Sequence, residues 1–162
     1  MFLKRKAVRF RKTFAKGCVM KNKTLLVYTG VDLNMMIAEG GSGYWKLGAS
    51  SLQKVEYLIA CKNYTKDWAV SDKNIPQGTA FFMAKVAGFQ KMLDGQYEGR
   101  YLITFSEYAE IRIPKAWQKI CVRGLPAARY FNTHDVLVDL AIEPSKLAWK
   151  SFIPAKNTSP QR

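Results

Sequence analysis

Two apolar runs in the first half of the chain have the length and composition of β-strands. Residues 24–28 form an almost entirely apolar run that ends before a threonine–glycine pair, which predicts a strand buried in the core. Residues 55–61 alternate between two sets of side chains, with Tyr57 and Ile59 in one set and Leu58 in the other. Because successive side chains of a strand point to opposite faces, this period of two predicts a second strand with unequal faces.

The middle of the chain has the pattern of a β-hairpin. Residues 79–92 and 100–105 are rich in aromatic and aliphatic side chains, and the polar, glycine-containing segment 94–99 separates them. This arrangement predicts two long antiparallel strands joined by a loop. Gly88 inside the first strand predicts a bulge or a close backbone approach. The proline and glycine within residues 74–78 predict a turn before that strand.

Polar caps and helix breakers outline three short helices. Asp32 can cap a helix that ends at the glycine pair 40–41, because glycine readily takes the left-handed conformation that follows a helix. Pro114 predicts the first turn of a second helix that runs to residue 120, since proline loses no hydrogen bond at that position. A third helix is predicted for residues 135–140, before a glutamate–proline pair.

The order of these elements predicts the fold class. Two further strands are predicted for residues 109–113 and 147–152. Five or six strands among short helices, without the regular strand–helix alternation of a parallel sheet, predict an α+β fold. We expect a mainly antiparallel sheet or a small β-barrel with short flanking helices. Residues 24–153 should form a single domain, and residues 154–162 a loose C-terminal tail.

Positive charge is concentrated at the N-terminus. Residues 1–23 carry nine lysines and arginines and no acidic side chain. The remaining residues hold 17 basic and 12 acidic side chains, although the formal net charge of the whole chain is +14. We expect a flexible basic arm over residues 1–23 whose partner carries phosphates, either a nucleic acid or an anionic membrane. A transit peptide, or a disordered leader that precedes a start at Met20, are alternative interpretations.

Several protein classes are disfavoured by what the sequence contains. Cys18, Cys61 and Cys121 are widely separated and form no CxxC pair, so they predict neither a disulfide framework nor a zinc site. No run approaches the roughly 18 to 20 apolar residues that a membrane-spanning helix needs. The N-terminus also lacks the apolar block of a secretory signal. We therefore expect a cytoplasmic protein with no membrane span and no cofactor.

Tyr44, Trp45 and Lys46 follow the glycine-rich residues 40–43 and form the first candidate site. The segment lacks the glycine–lysine pattern of a P-loop and follows a predicted helix, so a phosphate cradle is one interpretation and a structural turn is another. A flexible loop that exposes an aromatic pair is a third. In that case the rings could stack on a base while Lys46 contacts the nucleic-acid backbone.

A second candidate site is a group of basic residues in the last third of the chain. Arginine offers a planar donor group that matches phosphates and guanine edges, and neighbouring rings offer stacking. The alternative is a solvated face whose aliphatic stems cover an aromatic ring. The basic residues of this group are Arg112, Lys115, Lys119, Arg123 and Arg129, interleaved with Trp117 and Tyr130.

Catalytic chemistry has little support in the sequence. His134 is the one histidine of the chain, which excludes sites built from several histidines. The carboxylates that could gather around a magnesium ion lack the spacing typical of restriction nucleases; they are Glu107, Glu110, Asp135 and Asp139. We predict no catalytic and no metal-binding residue, and keep a small metal-dependent nuclease or base-acting enzyme as the alternative.

The order of elements resembles the PUA-like superfamily, and its EVE-type and ASCH-type domains in particular. The resemblance rests on Gly43-Tyr44-Trp45 after the first strand, on the turn Pro76-Gln77-Gly78, and on the strands at residues 81–86 and 100–105. Domains of this group bind RNA or modified bases. The resemblance therefore implies a small barrel whose pocket, among Trp45, Trp68 and the neighbouring strands, receives a flipped base.

The charge, the two candidate sites and the resemblance favour one function. We predict a non-enzymatic nucleic-acid-binding module, with DNA and RNA both open, whose basic arm adds contacts to phosphates. A protein-interaction accessory factor is a further alternative to the enzyme named above.

Overall fold

The computed structural model describes residues 20–64, 75–121 and 126–154. Within these segments the chain forms seven strands, four short α-helices and one 3-10 turn, which confirms the α+β class. The strands are β1 (Lys23–Thr29), β2 (Ser42–Trp45), β3 (Val55–Lys62), β4 (Ala80–Lys91), β5 (Tyr101–Ile113), β6 (Ala128–Asn132) and β7 (Lys150–Ser151). The helices are α1 (Leu33–Glu39), α2 (Ala49–Leu52), α3 (Ala116–Ile120) and α4 (Thr133–Leu140), and the 3-10 turn is Pro144–Lys146.

The strands form one mixed sheet in the order β2-β5-β4-β3-β1-β6, and β7 pairs with β5 beyond β2. Every described strand pair except one is antiparallel, so the prediction of a mainly antiparallel sheet is confirmed. The exception is β1 with β3, which run parallel. Parallel neighbours need a long crossover connection, and here it contains α1, β2 and α2.

The sheet curls into a partial barrel with an apolar cluster on each face. The inner cluster combines residues of β1, β3, β4 and β5 with Met36 of α1 and Leu52 of α2. The outer cluster lies under α3 and α4, which contribute Ala116 and Val136. The hydroxyl of Tyr130 on β6 donates to the carbonyl that precedes α2. This hydrogen bond joins the β6 edge of the sheet to the segment that follows β2, the strand at the other edge.

Burial on both faces explains the apolar runs in β1 and β3. Leu25 packs in the inner cluster and Leu26 in the outer one, and both side chains are fully buried. In β3 the predicted unequal faces are wrong, because Leu58 and Ile59 are each fully buried on opposite sides. A strand covered by helices on both faces reads as a continuous apolar run.

The ends of α1 follow the local chemistry that the sequence predicts. Oδ1 of Asp32 accepts a hydrogen bond from the Met35 amide at 2.9 Å, so Asp32 is the N-cap. Gly40 ends the helix in the left-handed conformation with φ of 88°, and its amide donates to the carbonyl of Met36. The turn before β4 is also confirmed, because Gly78 has φ of 82°.

β5 is one strand of 13 residues, so the prediction of two separate strands at residues 100–105 and 109–113 is wrong. The polar residues between the two predicted strands stay in the ladder because they have partners on β4. Nζ of Lys85 lies 2.9 Å from Oε1 of Glu107, its cross-strand partner. Next to this pair, the ring of Tyr108 stacks on Phe82. The irregular register next to Gly88 agrees with the bulge expected there.

Two strands were not expected, and both lie at an edge of the main strand path. β2 occupies part of the segment interpreted as a flexible loop, and β6 precedes α4 without a strong apolar pattern. β7 is shorter than the strand predicted for residues 147–152. Short edge strands have a weak pattern of their own, because they bury side chains only through their neighbours.

Among the residues that the structure describes, the first backbone contacts lie close to the predicted end of the basic arm. The Thr133 amide donates to the Asn22 carbonyl at 2.9 Å, and the Lys23 amide donates to the Lys54 carbonyl at 3.0 Å. Residues 1–19 and 155–162, which hold most of the predicted arm and tail, lie outside the described residues. In the parts of the chain that the structure describes, the helices are too short and too polar to cross a membrane.

Candidate functional site

A cleft opens where the two edges of the curled sheet approach each other. Its walls come from α1, from β2 and from the loop that joins β4 to β5, and residues 126–128, which end with the first residue of β6, close the opposite side. The cleft has a volume of about 610 Å³, a size typical of small-molecule sites. We call it the edge cleft, and the aromatic and charged side chains of interest in its lining are Glu39, Tyr44, Trp45, Lys46, Tyr97 and Arg100.

The close approach of β2 to β5 aims Tyr44 at the edge cleft. A Cβ atom on Gly41 would overlap the carbonyl of Ile103, so only glycine lets the two backbones come this close. From Ser42 to Trp45 the chain of β2 advances three residues while β5 advances two. The extra residue is a bulge, and bulges redirect the side chains around them.

Tyr44 is held by three residues from two elements, the end of α1 and the β4–β5 loop. Its ring stacks on that of Tyr97 from the β4–β5 loop, with 4.4 Å between ring centroids and 12° between planes. Its hydroxyl donates to Oε1 of Glu39 at 2.7 Å. Arg100 at the base of the same loop donates from Nη1 to the Tyr44 carbonyl at 3.4 Å. The stacked tyrosines therefore form a fixed aromatic wall of the edge cleft.

Trp45 adds a second aromatic surface that is anchored from behind. Its side chain is half-buried and packs against the inner cluster, and Nε1 donates to Oγ of Ser42 at 3.0 Å. The indole N–H is thus satisfied within the protein, and the ring stays in place without a ligand. The interpretation of this segment as a flexible loop is wrong, because Tyr44 and Trp45 belong to β2.

The charges of the edge cleft have mixed signs. Lys46 and Arg100 are exposed and supply two cations. Glu39, at the end of α1, is the one carboxylate among the described residues that line the cleft. The site therefore combines flat apolar rings with donors for phosphate and a single strong acceptor.

Arg112 belongs to a different cavity, which we call the lysine cavity, at the N-terminal end of α1. It has a volume of about 580 Å³ and is lined by Asp32, Lys62, Phe81, Glu110 and Arg112, among others. Lys62 is fully buried, and its Nζ lies 4.7 Å from the centroid of the Phe81 ring. This arrangement is a cation–π contact, which partly compensates the burial of the charge.

The predicted basic group is spread over two faces of the sheet. Both neighbours of Arg112 on β5 pack against the outer cluster, so the alternation of side chains turns Arg112 to the inner side. Arg129 on β6 lies on the outer side, with its guanidinium 5.3 Å from the centroid of the Phe131 ring. Lys115 is exposed in the turn before α3. The structure does not bring these three side chains into one patch.

Two predicted site residues, Trp68 and Arg123, lie outside the described residues. Three members of the edge cleft, Glu39, Tyr97 and Arg100, join the site only through the fold. Their positions in the sequence show a helix end and a polar loop, and neither pattern indicates that the loop folds back on β2. The one signal for these residues in the sequence is the presence of aromatic and basic side chains in and beside the predicted hairpin loop.

The carboxylates considered for catalysis do not gather. Glu107 pairs with Lys85, and Oε2 of Glu110 lies 3.5 Å from Nζ of Lys150. Asp135, Asp139 and His134 are exposed on α4. Within the described segments, no group of three or more histidine, cysteine, aspartate or glutamate side chains could hold a metal ion.

The buried thiols and phenols are poor nucleophiles. Burial raises the pKa of Cys121 to about 11, and burial raises the pKa of Cys61 even further. Because the thiolate is the reactive form of cysteine, both thiols are unreactive at neutral pH. Burial also raises the pKa of Tyr130 to about 12. None of these groups is activated for covalent catalysis.

No protein-family model, curated protein or solved structure matches this chain. The residues and the geometry of the edge cleft are therefore the basis on which a function can be proposed.

Proposed function

We propose that this protein is a non-enzymatic nucleic-acid-binding module whose edge cleft accepts an unpaired base. The observation that carries the proposal is the stacked pair Tyr44 and Tyr97 beside the anchored ring of Trp45. Proteins that bind single strands offer aromatic rings on which bases stack, next to cations that contact the backbone. Lys46 and Arg100 supply such cations at the same cleft.

Preorganisation of the aromatic wall supports this assignment. Tyr44 is fixed by Glu39, by Arg100 and by stacking on Tyr97, so little side-chain freedom is lost when a ligand binds. The alternative interpretation as a structural turn does not account for rings that face a cleft large enough for a ligand. An unpaired base has two flat faces and a polar edge, which match the rings and the charged groups of this site.

The proposal includes a PUA-like fold. A curled, mainly antiparallel sheet with a glycine turn before β4 supports that assignment. The excess of basic residues supports a polyanionic partner, and the arm would add phosphate contacts that depend strongly on salt. RNA and DNA are both included, since none of the contacts described above involves a group that would distinguish the sugars.

The direct test is the binding of short labelled single-stranded RNA and DNA by fluorescence anisotropy. Tyr97→Ala removes half of the stacked pair and should weaken binding about tenfold. Tyr57→Ala is the matched control, because Tyr57 stacks on Trp149 on the outer side of the sheet, and it should leave binding unchanged. Equal losses in the two variants, or no binding by the full chain, would contradict the proposal.

The same samples test the electrostatic part and the absence of catalysis. Arg100→Gln and Lys146→Gln each remove one positive charge, but only Arg100 lines the edge cleft. We expect a loss of affinity for the first variant alone. Incubation of the labelled strands with Mg²⁺ should leave them intact. Cleavage that Glu107→Gln or Glu110→Gln abolishes would replace the proposal with the nuclease alternative.

A further inference from the structure

Glu39 is an unusual residue for the place it occupies. It is the last residue of α1, where the unpaired carbonyl groups of a helix create a partial negative charge. A second negative charge there is unfavourable, and the described residues contain no salt bridge to Glu39 that would offset it. Its side chain nevertheless lines a cleft in a chain with a net charge of +14. A charged residue at a position where its charge is electrostatically unfavourable points to a role in function.

The hydrogen bond to Tyr44 does not by itself explain the charge. The Tyr44 hydroxyl donates to Oε1 at 2.7 Å, and the amide oxygen of a glutamine would accept the same bond. A carboxylate differs from an amide in having two acceptor oxygens and no donor. It can therefore accept several hydrogen bonds at once, and it discriminates against any ligand edge that presents acceptors.

The polar groups of the edge cleft complement one base in particular. The edge of guanine that is free when the base is unpaired presents two neighbouring donors, N1–H and N2–H₂, next to the acceptor O6. A carboxylate matches the two donors, and a cation such as Lys46 matches the oxygen. Uracil and thymine present oxygens on both sides of their single N–H. Cytosine and adenine place an acceptor nitrogen beside their amino group.

We propose that Glu39 makes the edge cleft selective for guanine, by accepting hydrogen bonds from N1–H and N2–H₂ of an unpaired base. Tyr44 is the positioning residue of this interaction, because its hydroxyl orients the carboxylate from the side of β2. The inference rests on the proposed function, since it names the base that the aromatic wall receives.

The decisive comparison removes one amino group from the ligand. Labelled single strands that carry one guanosine in a uridine background are compared with strands in which inosine, which lacks only N2–H₂, replaces that guanosine. Deoxyribose versions with thymidine are measured in parallel. A strand made only of the background nucleotide serves as the third ligand. The protein should bind the guanosine strand about tenfold more tightly than either the inosine strand or this background strand.

Glu39→Gln keeps the acceptor for Tyr44 but replaces one carboxylate oxygen with a donor group. It should reduce the ratio of guanosine to inosine affinity to about one, since the amide no longer offers two acceptors. Tyr44→Phe keeps the ring stack and should lower the same ratio partially. The matched control is Glu143→Gln, because Glu143 is an exposed carboxylate that pairs with Lys146 and does not line the cleft. It raises the net charge equally and should leave the ratio unchanged.

The outcomes separate this inference from the proposed function. If the protein binds all strands equally and Tyr97→Ala still weakens binding, the edge cleft accepts bases but the role of Glu39 is wrong. An unchanged ratio in Glu39→Gln leads to the same conclusion. If no strand binds, or if Tyr97→Ala binds as tightly as the unaltered chain, the proposed function itself fails.

Discussion

Gly41 shows how a single residue positions the candidate site. It has no side chain because the carbonyl of Ile103 occupies the space that a Cβ would need. The close approach at this point accompanies the pairing of β2 with β5, and Tyr44 on β2 meets Tyr97. The residue therefore connects the packing of the sheet edge to the geometry of the edge cleft.

Gly41→Ala should lower the free energy of unfolding by about 1 to 3 kcal/mol, the usual cost of forcing extra volume into a packed site. Gly48→Ala is the matched control, because a Cβ there meets no atom within 4 Å and its φ of −83° suits alanine. We expect the control to change stability by less than about 0.5 kcal/mol. Urea denaturation of both variants measures their free energies of unfolding. Similar values would show that β2 can shift to make room for a side chain at this point.

At the scale of elements, the edge cleft depends on how two sheet edges are held together. β2 and β6 lie at opposite ends of the strand order, yet Tyr130 of β6 donates to the carbonyl of Gly48 at 3.2 Å. The ring of Tyr130 also packs against the inner cluster. This contact connects the two edges of the curl, so we expect it to stabilise the fold on which the cleft depends.

Tyr130→Phe should cost about 0.5 to 1.5 kcal/mol at neutral pH, the typical net contribution of one hydrogen bond. Burial raises the pKa of Tyr130 to about 12 in the folded chain, above its ordinary value of 10.0. The neutral phenol is therefore favoured by folding, and its contribution is complete below pH 10 and is lost as the pH rises toward 12. The stability gap between the unaltered chain and Tyr130→Phe should narrow over that range. Denaturation curves at several pH values measure it, and a constant gap would show that Tyr130 does not titrate differently after folding.

The elements that sequence patterns predict well are those whose signals are local. α1 is correct at both ends, because Asp32 and Gly40 make the cap and the stop within the helix itself. β1 and β3 have apolar runs that any arrangement of the sheet would bury. Sequence patterns do not predict β2 and β6, because a run of four or five residues of mixed polarity becomes a strand only when a neighbouring strand is present. The candidate site is only partly predictable for the same reason, because some of its residues meet only when distant parts of the chain pack together.

Tyr44, Trp45 and Lys46 are contiguous, so composition alone marks them as candidates. Tyr97 and Arg100 lie more than 50 positions further along and reach the edge cleft only because the β4–β5 loop folds back over β2. A local pattern carries no information about that long-range contact. For the same reason Arg112 and Arg129, close in sequence, lie on opposite faces of the curled sheet.

At the scale of the whole molecule, two sources of polyanion attraction must be separated. The basic arm holds nine of the 26 basic residues, and a variant that begins at Met20 removes seven of them. The backbone contacts described above begin at Asn22, and Met20 itself is 77% exposed. We therefore expect this variant to melt within a few degrees of the full chain, since it keeps every contact described above.

Binding by the same variant decides where recognition resides. Each phosphate contact of the arm on a single strand contributes about 0.7 to the slope of log affinity against log salt, so the trimmed chain should bind more weakly at low salt and with a smaller slope. Its sensitivity to Tyr97→Ala should persist, because the edge cleft is intact. Anisotropy titrations across a salt series, with and without that substitution, measure both quantities. If the trimmed chain does not bind single strands even at the lowest salt, the arm alone accounts for the binding of the full chain, and the aromatic wall has another role.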